Sequence, residues 1–225
     1  KAIRRQRQMC IRDRDLFRLR QELLFKTYPV SPVREEQSQT VGLPRVLEFW
    51  DSMPFWSTFF RALGYRVKFS HPSSRRQYES GLQYVASDTI CFPAKLVHGH
   101  VSWLIRQGVK FIFYPCIPYE RNESPEAGNH YNCPMVTSYA ENIKNNVEAL
   151  EEEQVRFMNP FMAFTNEKIL TDALVKEFSS SFQIPAAEIR MAAHAGWEEL
   201  LASRSDMEKK GEETLSWMKA VSYTH

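Results

Sequence analysis

The spacing of apolar residues along the middle of the chain alternates between the pattern of β-strands and the pattern of α-helices. Short apolar runs typical of β-strands are followed by longer stretches with helical spacing, and two of those stretches stop at Gly64 and Gly108. Glycine suits the residue after a helix because it adopts the left-handed conformation readily. Strands that alternate with helices indicate βαβ units and a mainly parallel sheet. The pattern therefore predicts an α/β fold, with a Rossmann- or flavodoxin-like parallel sheet, flanking helices and a mostly helical C-terminal segment.

The individual elements follow from the same two patterns. Asp51 or Ser52 is expected to cap the first core helix, with Pro54 in its first turn. The apolar run at 109–114 fits a strand that is buried on both faces. The predicted strands are 45–50, 65–69, 109–114 and 135–139, with a further extended stretch at 155–164. The predicted helices are 15–28, 54–63, 93–107, one ending near 150, 166–178, and one or two over 185–219 that are interrupted by Gly196 and Gly211.

Changes in composition divide the chain into four segments. Residues 1–14 are expected to be a non-native or disordered basic tail. Residues 15–40 are expected to be a helix followed by a linker. The linker is rich in Pro, Gln and Ser, and this composition continues as far as position 42. Residues 41–150 are predicted to form the α/β domain. Residues 151–220 are predicted to form a helical segment that leads into a further module.

Composition and charge exclude several classes of protein. The chain of 225 residues is 43% hydrophobic and 25% charged, which is typical of soluble globular proteins. No stretch approaches the roughly 20 consecutive apolar residues of a membrane helix. Residues 1–20 carry a net charge of +6, whereas the remainder carries −4 and shows no basic stripe for phosphate contacts. We therefore expect a cytoplasmic protein that binds neither a membrane nor a nucleic acid.

The basic N-terminal segment has three interpretations: an organellar presequence, a nucleic-acid-binding arm, or a sequence that is not native. We favour the third. Residues 9–14, Met-Cys-Ile-Arg-Asp-Arg, resemble strings that recur at the ends of chains translated from metagenomic assemblies, and residues 221–225 resemble another such string. The chain is then expected to be an internal fragment of a longer protein, and Cys10 is set aside.

Three further cysteines share a placement that suggests a binding site. Cys91 precedes a predicted helix, Cys116 follows the buried strand, and Cys133 lies in a polar loop before the strand predicted at 135–139. Open α/β sheets bind ligands at the carboxyl ends of their strands, and a helix N-terminus favours a thiolate. Each cysteine also has a proline within two residues, which stiffens the loop around a thiolate.

Several roles for these cysteines stay open on spacing alone. Buried apolar filler is a common role of cysteine in a cytosolic protein. A disulfide is not expected, since nothing indicates secretion, and the closely spaced ligand pairs of zinc sites are absent from the sequence. An iron–sulfur cluster accepts cysteine ligands from several distant loops.

The other residues whose side chains could bind a ligand or a metal are interpreted mainly as structural. His98 and His100 stand two positions apart on one predicted helix and point to different faces, which makes them poor joint metal ligands. Lys95, Arg121 and Lys144 suit the phosphates of a large anionic substrate, with a solvated surface as the default interpretation. A series of aromatic residues is expected in the core: Phe49, Trp50, Phe55, Trp56, Phe59 and Phe60.

The cysteine-bearing strings resemble those of a known family. The matching strings are Gly42-Leu-Pro-Arg-Val46, Pro54-Phe-Trp-Ser-Thr-Phe-Phe60, Cys91-Phe-Pro-Ala-Lys-Leu-Val-His-Gly-His100, Phe113-Tyr-Pro-Cys-Ile-Pro-Tyr-Glu-Arg121 and Asn129-His-Tyr-Asn-Cys-Pro134. They resemble the acyl-CoA dehydratase activase-related proteins, which contain a domain similar to the D-component of 2-hydroxyglutaryl-CoA dehydratase. The resemblance is dense over 41–150 and looser through 159–161 and the C-terminal helices.

The resemblance implies an oxygen-sensitive [4Fe–4S] cluster in a protein of an anaerobic bacterium. Carried over residue by residue, it implies the ligands Cys91, Cys116 and Cys133, with Lys95, Tyr119, Glu120 and His130 around them. ATP-dependent activase modules, in the same chain or a separate one, would place a low-potential electron on the cluster. The cluster would pass that electron to the thioester carbonyl of a 2-hydroxyacyl-CoA, and a ketyl radical would then expel the hydroxyl group.

The sequence departs from that family pattern in two respects. It holds no actin-like phosphate loop, so it does not hydrolyse ATP by itself. It also stops where the dehydratase-like region is expected to continue, and with three cysteines one iron of the cluster lacks a protein thiolate. Two explanations stay open: the fourth ligand belongs to the continuation of the longer protein, or that iron keeps an open coordination site. The alternative interpretation is a metal-free docking or regulatory module of a multidomain activase.

Overall fold

The computed structural model describes residues 15–27 and 39–222. Four short parallel strands form one sheet in the order β2–β1–β3–β4. Their bounds are Thr40–Leu43 for β1, Arg66–Phe69 for β2, Phe111–Phe113 for β3 and Arg156–Met158 for β4. In the register of the sheet, Val41 of β1 lies opposite Val67 of β2 and Phe111 of β3. The predicted α/β class with a parallel sheet is therefore confirmed.

Helices flank the sheet and make up most of the C-terminal segment. Their bounds are Leu16–Glu22 for α1, which continues as a π-helical stretch at Leu23–Thr27, Phe49–Ala62 for α2, Arg75–Glu79 for α3, a 3-10 turn at Leu82–Tyr84, Phe92–Arg106 for α4, Pro134–Asn146 for α5, Ala149–Glu152 for α6, Glu167–Phe182 for α7 and Ala186–Ser222 for α8. α8 packs along α2 and α7. It runs through Gly196 and Gly211 without the predicted interruption.

The two faces of the sheet carry different helices. The ring of Phe60 in α2 lies 6.0 Å from that of Phe111 in β3. Gly42 of β1 is paired with Ile112, the next residue of β3, and therefore faces the opposite side of the sheet. A Cβ on Gly42 would lie 3.2 Å from Leu104 of α4. Because Gly42 has no side chain, α4 packs closely on this face, while α2 covers the other.

Aromatic side chains of α2 fill the core, as predicted. The rings of Trp56 and Phe113 lie 4.7 Å apart at its centre. Five members of the predicted series are fully buried: Phe49, Phe55, Trp56, Phe59 and Phe60. Trp50 is half-buried, and its ring lies 5.1 Å from Phe25 in the π-helical end of α1. The N-terminal helix thus covers the start of α2.

The first strand lies earlier than predicted. Residues 40–42, which were assigned to the linker, belong to β1, whereas the run predicted as a strand at 45–50 turns into α2. A short apolar run does not by itself distinguish a buried strand from the buried start of a helix. The N-cap of α2 is Glu48, and not Asp51 or Ser52.

Residues 135–139 are helical and not extended. α5 begins at Pro134 with Cys133 as its N-cap, and the β-branched residues that suggested a strand, Val136 and Thr137, lie in its first turn. The fixed φ angle of proline suits the first helical position. β4 lies inside the extended stretch predicted at 155–164, within the segment predicted as mostly helical from residue 151, and it completes the sheet beside β3.

Two glycines follow core helices as the periodicity predicts. Gly64 follows α2 with φ +85° and Gly108 follows α4 with φ +73°. Both angles lie in the left-handed region, which other residues rarely adopt. The basic tail at 1–14 with Cys10, the linker residues 28–38 and the last three residues lie outside the described residues.

Candidate thiol site at the carboxyl edge of the sheet

The topology brings three cysteines to the carboxyl edge of the sheet. α4 and α5 lead into the amino ends of β3 and β4, so the N-termini of these helices lie at the opposite edge. Cys91 is the N-cap of α4 and Cys133 is the N-cap of α5. Cys116 follows Phe113, the last residue of β3, by three positions. This is the edge at which open α/β sheets bind ligands.

The two N-cap cysteines are built alike. The backbone angles φ and ψ are −63° and 150° at Cys91 and −64° and 156° at Cys133, and a proline occupies the first or second helical position after each. Both thiols are exposed. The first amides of a helix have no intrahelical partner, and neither cysteine side chain accepts a hydrogen bond from them. The edge therefore offers two exposed thiols in the same backbone setting.

A buried hydrogen bond joins the two helices below their N-caps. Nε2 of His98 in α4 and the hydroxyl oxygen of Tyr139 in α5 lie 2.8 Å apart. Burial, and then the charge of Cys91, raises the pKa of Tyr139 to about 12. The hydrogen bond holds α4 and α5 side by side.

Cys116 lies beneath this pair and is 0% exposed. Its backbone forms a parallel bridge with Phe161. Burial raises the pKa of its thiol to about 11, so the group is neutral at physiological pH. Its sulfur faces the backbone of Glu141 and Ala140, which follow Cys133 by about 10–12 Å along α5 at the helical rise per residue. Cys116 therefore does not share the surface that exposes the other two thiols.

Cysteine thiolates are suitable ligands for iron or zinc, but the three thiols do not surround one point. Thiolates are the preferred ligands of iron–sulfur clusters and of many zinc sites. Over residues 15–27 and 39–222, no three side chains of His, Cys, Asp or Glu are placed to hold a metal ion. Cys91 and Cys133 expose their thiols, whereas the thiol of Cys116 is buried, so the three do not form one ligand group in this arrangement.

The residues expected around the cluster lie in two places. Nζ of Lys95 donates a hydrogen bond of 2.8 Å to the carbonyl of Asp88, in the turn that precedes α4. Tyr119, Glu120 and His130 lie together where the loop after β3 folds back on itself. The N–H of Glu120 donates to the carbonyl of His130 at 3.1 Å, and the rings of Tyr119 and His130 are 6.4 Å apart.

Glu48 is a buried residue of this edge that the sequence analysis missed. It is 5% exposed, and neither carboxylate oxygen has a hydrogen-bond partner in the described parts of the chain. Burial, and then the charges of Glu120 and Asp51, raises its pKa well above the usual range. The buried hydroxyl of Tyr114 also lacks a partner, and burial, followed by Glu48, raises its pKa. The signal available in the sequence was a single carboxylate inside the apolar run at 45–50.

The two histidines of α4 have separate structural partners. Nδ1 and Nε2 of His100 lie 2.6 Å from Ser70 Oγ and 3.0 Å from Ser73 Oγ. Burial lowers the pKa of His98 to about 4. Burial, with a contribution from Arg45, lowers the pKa of His100 to about 3. Both rings are therefore neutral at pH 7.

The remaining candidates for phosphate contacts, Arg121 and Lys144, are exposed, which agrees with a solvated surface. Across the described ranges, no helix has both the length and the apolar character required to cross a bilayer.

Comparison with known proteins identifies the family of the chain. Residues 40–224 match the family model of the CoA enzyme activase uncharacterised domain (DUF2229). Neither the curated proteins nor the solved structures contain a match to the chain. The matched range includes the whole sheet, both cysteine-capped helices and the C-terminal helices. The resemblance indicated by the cysteine strings is thereby confirmed, and the chain belongs to the CoA enzyme activase domain family.

Proposed function

We propose that this domain is the iron–sulfur electron-transfer module of an acyl-CoA dehydratase or related reductase system. The observation that carries the proposal is the pair of exposed thiols, Cys91 and Cys133, in matching conformations at the N-termini of neighbouring helices. A cysteine that serves as apolar filler needs neither exposure nor a helix N-terminus. A shared inorganic ligand accounts for both features.

Three cysteines would hold the cluster. Cys91 and Cys133 would bind a [4Fe–4S] cluster at the edge, one from the N-terminus of each helix. Cys116 would supply a third thiolate, which requires that the segment after β3 turns its thiol away from α5 and that the thiol loses its proton. When bound, such a cluster supplies a single electron at low potential. Amide hydrogen bonds and burial at the edge would set that potential.

The partners follow from the family. A domain of the CoA enzyme activase family fits a system in which ATP-dependent activase modules, in the same chain or a separate one, deliver the electron. The acceptor would be the thioester carbonyl of a 2-hydroxyacyl-CoA or a similar thioester. The −4 charge of residues 21–225 argues against a nucleic-acid partner, and a cytoplasmic location fits this chemistry.

A metal-free docking or regulatory module is the second candidate. It is favoured by the absence, within the described residues, of three ligand side chains around one point. In that case the exposed thiols would have no inorganic ligand, and the domain would act by binding a partner dehydratase.

Anaerobic reconstitution with iron and sulfide separates the two candidates. All proteins in this experiment carry Cys10→Ser, which removes the thiol that lies outside the described residues. We expect bound iron and an absorption band near ~400 nm in this background, and loss of most of both in Cys91→Ala and Cys133→Ala. The control Ser138→Ala removes an exposed hydroxyl of α5 and should load as the background does.

Two outcomes would contradict the cluster. Iron-free protein that remains folded and still binds a dehydratase would support the metal-free module. Elemental analysis that finds zinc in place of iron would indicate a zinc-supported fold.

A further inference from the structure

A cavity of about 690 Å³ lies between the start of α7 and the middle of α8. Because α7 follows β4, its N-terminus lies at the carboxyl edge of the sheet, where α/β proteins bind ligands. Lys168 and Thr171 line the cavity from one face of α7, and Trp197 lines it from α8. Arg121, from the loop after β3, forms part of the rim. The volume is within the range of sites for small organic ligands.

The charges around this cavity are positive on balance. Arg121 and Lys168 line it, and neither forms an ion pair with another residue of the described ranges. Arg190 lines it as well and is already paired with Asp172 at 3.1 Å. Among the described residues of the wall, Glu167 is the only carboxylate. The cavity therefore favours an anionic ligand.

The first turn of α7 adds backbone donors to the same wall. Asn166 caps the helix, and its side chain accepts a hydrogen bond of 3.0 Å from the amide of Ile169. The amides of Glu167 and Lys168 come before it, and the first amides of a helix have no intrahelical partner. The carboxylate of Glu167 lies 2.8 Å from Nδ1 of His194, outside the cavity wall. Free amides at a helix N-terminus are common partners of phosphate groups.

Two buried side chains of the wall have polar groups that lack a partner. Thr171 and Trp197 are each only 8% exposed, and both line the cavity. Within residues 15–27 and 39–222, neither the hydroxyl of Thr171 nor Nε1 of Trp197 has a hydrogen-bond partner, and neither atom is sealed from solvent. A hydroxyl can donate a hydrogen bond, and an indole N–H can only donate one. A ligand with acceptor oxygens would satisfy both groups.

The arrangement of donors favours a phosphate over a carboxylate. The donors come from three sides: the first turn of α7 with Thr171, Trp197 of α8, and Arg121 of the rim. A carboxylate presents two oxygens in one plane, whereas a phosphate presents oxygens in several directions. The volume of the cavity exceeds that of a single phosphate group. The ligand is therefore expected to be a phosphate ester with a larger organic part.

We propose that this cavity binds a phosphate ester of about the size of a nucleotide. Thr171 and Trp197 donate to the phosphate from the wall, and Arg121 and Lys168 contact it from the rim. The proposal does not depend on the cluster, because none of the three cysteines lines the cavity. It is tested on metal-free protein, so a failure of iron loading leaves it standing.

Isothermal titration calorimetry of the reduced, metal-free Cys10→Ser protein tests the proposal with three probes: ADP, coenzyme A and inorganic phosphate. We expect one or both of the esters to bind one molecule per chain, more tightly than inorganic phosphate, and the tighter ester identifies the organic part. Thr171→Val keeps the shape of the side chain without its hydroxyl and should weaken binding about threefold or more. Arg121→Gln combined with Lys168→Gln should weaken it at least about tenfold.

Lys176→Gln is the matched control, because it removes an exposed positive charge from the same helix away from the cavity. It should bind the ester as the parent does. Circular dichroism checks the fold of each variant. If Thr171→Val does not fold, the double variant carries the comparison, since Arg121 and Lys168 are exposed.

Four results would overturn the proposal. Neither ester binds at millimolar concentration. Inorganic phosphate binds as tightly as both esters, which would show that the cavity does not accept the organic part. Binding is unchanged in Thr171→Val and in the double variant, which would place the ligand elsewhere. Lys176→Gln weakens binding as much as the double variant does, which would indicate attraction by net charge alone.

Discussion

Glu48 is held in surroundings that oppose its ionisation. Its pKa in the folded protein lies above the usual value of 4.5. Above pH 4.5 the unfolded chain releases a proton that the folded protein retains, so stability falls as pH rises, by up to about 1.4 kcal/mol per pH unit. Glu48→Gln removes this dependence. We predict that the variant gains stability relative to the parent between pH 5 and pH 8, as measured by urea denaturation.

Glu188→Gln serves as the control for that comparison, because its carboxylate is exposed on α8. Its denaturation curves should follow those of the parent at every pH. If Glu48→Gln and the parent show parallel pH dependence, the carboxyl group of Glu48 is ionised in the folded protein and the description of its burial is wrong.

His100 makes the stability of the protein depend on pH in the opposite direction. Its pKa in the folded protein is about 3, below the ordinary value of 6.5. Stability is therefore fully present above pH 6.5 and is lost as pH falls toward 3, again by up to about 1.4 kcal/mol per pH unit. His100→Asn keeps an amide next to Ser70 and Ser73 but does not titrate. We predict that it is less stable than the parent at pH 7 and loses less stability between pH 6.5 and pH 5.

Thermal unfolding at several pH values measures this difference. The range stops at pH 5 so that carboxylates with ordinary pKa values contribute little, and Glu48, whose pKa is raised, contributes equally to the variant and the parent. An equal loss of stability in the variant and the parent would show that the ring of His100 takes up protons in the folded protein as readily as in the unfolded chain.

At the residue scale, sequence reasoning found the cysteines and missed Glu48. Proline beside a cysteine is a local signal at Cys91 and Cys133, and glycine after a helix is a local signal at Gly64 and Gly108. The environment of Glu48 depends on Glu120 and Tyr114, which are distant in sequence and meet it only in the folded protein. Local patterns contain no information about such contacts.

At the element scale, the position of α4 depends on the absence of side chains. A Cβ on Gly99 would lie 2.0 Å from the carbonyl oxygen of Gln77 in α3, and one on Gly81 would lie 2.3 Å from the backbone nitrogen of Gly99. These atoms belong to the backbone and cannot move aside as a flexible side chain does. We predict that Gly99→Ala destabilises the fold by roughly 1–3 kcal/mol or more in urea denaturation.

Gly211 provides the matched control for that substitution. It lies inside α8, and a Cβ there meets no atom within 4 Å. Gly211→Ala should therefore stabilise the protein by about 0.5–1 kcal/mol, the ordinary gain of alanine over glycine in a helix. Equal effects of the two substitutions would contradict the close packing of α4 against α3.

The ends of helices were predictable where a glycine follows the helix. Short apolar runs did not show whether a segment is a strand or a helix. Gly64 and Gly108 located the ends of α2 and α4 to within two residues. The run at 45–50 and the β-branched residues at 135–139 were misassigned to strands. In both places the deciding factor is tertiary: a central strand already occupies 40–43, and α5 packs beside α4, where Tyr139 is hydrogen-bonded to His98.

At the scale of the whole molecule, the alternation of strands and helices was sufficient to predict the parallel sheet. The sheet order places the N-termini of α4 and α5, with the N-cap residues Cys91 and Cys133, at one edge. The burial of Cys116 against α5 was not predictable, because the position of a cysteine after a strand does not determine which way its side chain points.

Native mass spectrometry of the anaerobically reconstituted domain tests the central claim most directly. In the Cys10→Ser background, the account predicts a mass gain of one [4Fe–4S] unit per chain, and no such gain when Cys91 and Cys133 are both replaced by alanine. A chain that gains no iron and sulfide, or one that gains the full unit without both N-cap thiols, would contradict the account.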